Sequence, residues 1–122
     1  MNREDYVSLE VAELLEASNC DLSSDKCYIG GRYTDSSFAE NANDIVISAP
    51  TLYEAQKWLR NKKGVLVEVN CNLKDYYTYD ILTISNHDLE GLSYRKPCGY
   101  KTYEEALNAG ILTTLKLLWA IW

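Results

Sequence analysis

Apolar residues along this chain recur with two periods, and the periods divide it into elements. Tyr6, Val7, Leu9, Val11, Leu14 and Leu15 fall at helical spacing, with Glu4, Asp5, Glu10, Glu13 and Glu16 opposite them. This predicts an amphipathic helix over 1–17 with Asn2 as its cap. A polar, turn-like stretch follows at 18–26. Cys27–Thr34 then reads as one short strand, its Gly30-Gly31 pair marking a bulge or a close backbone approach. The Asp-, Ser- and Asn-rich stretch 35–43 predicts a surface loop, and Asp44–Ser48 a short β-branched strand.

The most informative stretch is Ser48–Val69. Thr51 can cap a helix while Glu54, three residues on, reaches back to it, and Pro50 discourages an earlier start. Leu52, Ala55, Trp58 and Leu59 share one face, and Arg60, Lys62 and Lys63 place positive charge on the last turn. Gly64 supplies the stop. Val65, Val67 and Val69 then alternate with Leu66, Glu68 and Asn70, predicting a strand.

After a turn at 72–75 the alternation resumes. Tyr77, Tyr79, Ile81 and Thr83 lie on one side, with Tyr76, Thr78, Asp80, Leu82 and Ile84 on the other. The strands 65–70 and 76–85 should form an antiparallel hairpin, and 92–95 a short third strand. The final helix repeats the capping signal with Thr102 and Glu105. TLYEA and TYEEA resemble each other as helix starts, but the rest does not align, and convergent capping chemistry explains the likeness. Leu107, Ile111, Leu115, Leu118 and Trp122 form a stripe that Leu112, Trp119 and Ile121 widen beyond what one sheet face needs. This predicts self-association through Leu115, Leu118, Trp119 and Trp122.

The expected fold is therefore a single α+β domain over 1–122, in the order α-β-β-α-β-β-(β)-α. Its helices should pack on one face of a mostly antiparallel sheet. Composition adds exclusions. A net charge of -6 argues against general nucleic-acid binding, which needs clustered Lys and Arg. No apolar run approaches the ~20 residues of a membrane span, and no secretory signal is read in the first ten residues. Cys20, Cys27, Cys71 and Cys98 form no C-x-x-C pair and there is one histidine, so no metal site and no cofactor are expected. Reduced thiols in a cytoplasm follow, with Cys20–Cys27 the pair to inspect for a bridge.

The chain carries no phosphate-loop pattern around Gly30-Gly31 and no G-x-S-x-G elbow. His87, beside Asp88, is its one imidazole base, and Asp80 reads as a solvent-facing strand residue. The expectation is a protein that is not an enzyme. What does stand out is ten tyrosines against one phenylalanine, several of them beside cations. Tyrosine offers a stacking face and a hydroxyl, and arginine a planar cation that pairs with phosphate or carboxylate. The expected ligand-binding set is Arg32, Tyr33, Arg60, Tyr77, Tyr79, Tyr94, Arg95 and Tyr100, suited to a small nucleotide-like anion or to a protein partner.

Three segments, MNREDYVSLEVAELLE, APTLYEAQKWLRNKKGVLVEV and YKTYEEALNAGILTTLKLL, resemble a family of small uncharacterised proteins from gut-anaerobe genomes, their prophages and their phages. The resemblance covers the outer helices and the central helix–strand unit, and the finish WAIW departs from the family's more polar end. No catalytic residue comes with it. It implies a mobile-element protein in the host cytoplasm that acts by binding, first of all by sequestering a small nucleotide-like signal in counter-defence; the alternatives are an inhibitor or adaptor of a host protein and, after that, a small enzyme.

Overall fold

The computed structural model describes residues 2–71, 76–85, 88–92 and 99–120. The chain forms α1 (Leu9–Ala17), β1 (Lys26–Ile29), β2 (Arg32–Asp35), β3 (Val46–Ser48), α2 (Leu52–Trp58), β4 (Val65–Cys71), β5 (Tyr77–Ser85), β6 (Asp88–Leu92) and α3 (Tyr103–Ala120). Single 3-10 segments lie at Arg3–Asp5 and Ser36–Asn41. The α+β class holds, and every strand pairing is antiparallel. The strands divide into two three-stranded sheets, ordered β2-β1-β3 and β4-β5-β6, where a single sheet was expected. The two orders differ in kind: in the first a central β1 is flanked by later strands, whereas the second is a meander.

The stretch expected as one strand at 27–34 is a hairpin. Lys26 pairs with Asp35 and Ile29 with Arg32, which leaves Gly30 and Gly31 as its two-residue turn. Their φ values of 56° and 83° are those of a primed turn, whose twist matches that of the strands. The expected close approach is present as well, because a Cβ on Gly30 would collide with the Asp44 carboxylate.

The first helix is shorter than its apolar pattern. Ser8, not Asn2, is its cap, and its hydroxyl accepts from the Val11 N–H. Asn2 instead caps the Arg3–Asp5 turn, its N–H reaching the Asp5 carboxylate at 3.0 Å. Between the two, Tyr6 and Val7 run extended, where the Val7 N–H bonds the Pro50 carbonyl at 3.0 Å and Tyr6 bridges to Thr51. That anchoring prevents a continuous helix and sends the Arg3 turn across the start of α2.

The α2 capping box forms as expected, with Thr51 and Glu54 exchanging bonds of 3.0 and 3.1 Å. Beyond Trp58 the helix widens into a π turn at Leu59–Lys63, closed by Gly64 at φ 67°. Lys63 lies 5.5 Å from the Trp58 ring. The Gln56 amide donates to the Val67 carbonyl at 2.7 Å, tying α2 to β4.

α3 is the shared wall. Leu107, Ile111 and Leu115 join Val7, Val11, Leu15, Leu52, Ala55, Leu59 and Val67 in the larger core. Ala109, Leu117 and Leu118 pack with Val65, Tyr79 and Ile81 in the smaller one. Leu115 is thus interior at 1% exposure and unavailable to a second copy. Leu118 is half-buried and Trp119 half-exposed, while Trp122 lies outside the described residues. The alternation in β4 and β5 places Val65, Val67, Tyr79 and Ile81 inward, as read from the sequence. Leu66, Glu68, Thr78, Asp80 and Leu82 occupy the opposite face, where Asp80 accepts from the Asn70 amide at 2.7 Å. β6 begins at Asp88, four residues before the expected third strand.

Candidate binding cleft

The cleft with the richest chemistry lies between the Arg3–Asp5 turn and the first turns of α3. It measures about 470 Å³ and is lined by Arg3, Glu4, Tyr6, Ser8, Tyr100, Glu104, Glu105, Asn108, Ala109 and Leu112. One side chain fixes its width: the Asn108 carbonyl oxygen accepts the Ser8 N–H at 3.0 Å, and its amide donates to the Ser8 hydroxyl at 3.1 Å. The start of α1 is thereby locked to α3. The N-cap of α3 forms as expected, with the Glu105 N–H on the Thr102 hydroxyl at 3.0 Å, and this sets Glu104 and Glu105 on the opposite wall from Arg3.

Arg3 is mounted on tyrosines. Its guanidinium carbon sits 4.1 Å from the Tyr33 ring centroid and 5.5 Å from that of Tyr28, and one N–H donates to the Tyr28 hydroxyl. The Tyr28 hydroxyl in turn donates to the Val7 carbonyl at 2.7 Å. Tyr33 meets both Tyr6 and Tyr28 at 5.9 Å between centroids, and the Tyr6 hydroxyl donates to Asp25 at 3.0 Å. Two rings therefore hold one exposed cation, and Tyr6 braces one of them. Arg3 makes no ion pair among the described residues.

The surrounding field is negative. Tyr53 and Tyr103 are exposed beside the cleft. The Tyr53 phenol is raised above its ordinary value by burial first, then by Glu104, Asp5, Tyr103 and Glu4. Burial raises Tyr28 too, against the opposing pull of Arg3, and burial with Asp25 raises Tyr6. The Cys20 thiol is raised by burial, and the Lys26 ammonium by its 2.6 Å bond to Asp35.

All five groups hold their protons more tightly folded than unfolded, so stability is complete below their ordinary values and declines as pH rises through the folded ones. The urea midpoint should fall as pH rises from about 9 to beyond about 10.5, and Tyr28→Phe should flatten part of that slope. A midpoint that rises over this range contradicts the assignment.

Of the residues expected to bind, Tyr33 and Tyr100 come to the cleft, the first beneath Arg3 and the second in its lining. Arg32 does not, because neighbouring strand residues point to opposite faces and Tyr33 takes the inward one. Tyr77 and Tyr79 lie behind Tyr100: Tyr77 exchanges two 2.7 Å backbone bonds with it, and the Tyr79 and Tyr100 rings are 6.1 Å apart. Tyr79 is 5% exposed, with its hydroxyl on Thr113 at 2.9 Å, so its ring belongs to the core. Arg60 sits on the π turn at the far end of α2. Tyr94, Arg95, His87 and Cys98 fall outside the described residues.

Sequence reasoning missed Arg3, Tyr6, Tyr28, Glu104 and Glu105. Arg3 reads as a solvated helix position until the break at Tyr6 and Val7 is known. Cys20, Cys27 and Cys71 are free thiols, so no Cys20–Cys27 bridge forms. Among the described residues no His, Cys, Asp and Glu group has metal-binding geometry, and no helix is long and apolar enough to cross a membrane. No protein-family model, curated protein or solved structure matches the chain.

Proposed function

We propose that this chain is a non-catalytic binding protein that captures a protein partner in the cleft between the Arg3 turn and α3. One observation carries the reading: Arg3 is stacked 4.1 Å over Tyr33 instead of being neutralised by the carboxylates that share its cleft. A guanidinium held by ring faces keeps its remaining donor edge for a ligand carboxylate. Exposed Tyr53, close to Glu4 and Glu104 of the lining, supplies rigid amphipathic contact area, and tyrosine and arginine are the residues that dominate binding hot spots. With the mobile-element origin implied by the family resemblance, the activity is inhibition or recruitment of a host protein.

A nucleotide-like signal is the second reading, favoured by the same arginine–tyrosine stack. The acidic lining limits such a ligand to few negative charges, because Glu4, Glu104 and Glu105 repel a polyphosphate.

Affinity capture from host extract separates the readings. Wild-type protein should retain one stoichiometric partner that an Arg3→Ala bait loses. Equal recovery on both baits, or no partner on either, overturns the reading. Millimolar cyclic mononucleotides should leave the melting midpoint unchanged, and an increase that Arg3→Ala abolishes would install the second reading instead.

A further inference from the structure

We draw no further inference here: the strongest candidate, the cavity of about 330 Å³ beside the π turn that ends α2, is lined by the carboxylates of Asp21 and Glu54 as well as by Lys57 and Lys62, so its charges balance and nothing in the structure shows what covers it.

Discussion

Gly110→Val should destabilise the protein by about 3 kcal/mol or more, the sharpest effect of any single added side chain in α3. A Cβ at this position would lie 2.7 Å from Val67 Cγ1 and 3.1 to 3.2 Å from Tyr79, both on the sheet that α3 covers. Neither neighbour can retreat easily, since Val67 is fully buried and Tyr79 is pinned by its hydroxyl to Thr113. Alanine decides between two opposed effects. Its helix propensity favours the folded state by about 1 kcal/mol over glycine, while overpacking costs about 1 to 3 kcal/mol. The contact is too close for propensity to win, so Gly110→Ala should lower the melting midpoint by about 5 °C. In a Val67→Ala background the same change should cost less, because the nearest methyl is gone, and the coupling should reach about 1 kcal/mol. A stabilising Gly110→Ala would mean that α3 stands further from β4 and β5 than described.

Ile111→Ala should cost about 2 to 5 kcal/mol, out of a total near 6 to 18 kcal/mol for a chain of this length. Ile111 is fully buried where α3 meets α1 and α2, so its loss opens a cavity between three helices. Trp119→Ala is the informative contrast. It removes a larger side chain, but one that is half in solvent, and should change monomer stability by no more than about 1 kcal/mol. Denaturant titrations at two protein concentrations measure both. A large, concentration-dependent loss in Trp119→Ala would show that the exposed indole is covered by another molecule.

The sequence carries most of the architecture and little of the cleft, for a physical reason. Capping boxes, helix stops and strand alternation are short-range signals, and Thr51–Glu54, Gly64 and the β4–β5 hairpin could each be read from a few neighbouring residues. The β1–β2 hairpin could not, because a Gly-Gly pair inside a strand-like run fits a bulge as well as a two-residue turn. The cleft depends on a longer-range event. Val7 bonds Pro50 through the backbone, which breaks the helical pattern at Tyr6 and swings Arg3 over Tyr28 and Tyr33. Nothing in the periodicity around Arg3 announces a partner 30 residues away. Tyr33 and Tyr100 are named from the sequence because tyrosine beside a cation is a compositional signal, and the structure brings both to the candidate cleft; Arg32 is drawn in by the same signal and Arg60 by the cation cluster at the end of its helix, and neither reaches it.

The two bonds between Ser8 and Asn108 also bear on how the molecule is made. They join residues 100 positions apart, so the first helix has its docking surface only once the last one exists. At about 5 to 20 residues per second, a ribosome releases α1 roughly 5 to 20 s before α3 follows. Val11, Ala12 and Leu15 spend that interval without the surface that later covers them. Closure of so long a loop makes spontaneous folding slow for a chain of this size, on the order of milliseconds to seconds. The interval before α3 appears is when a chaperone has the most apolar surface to hold.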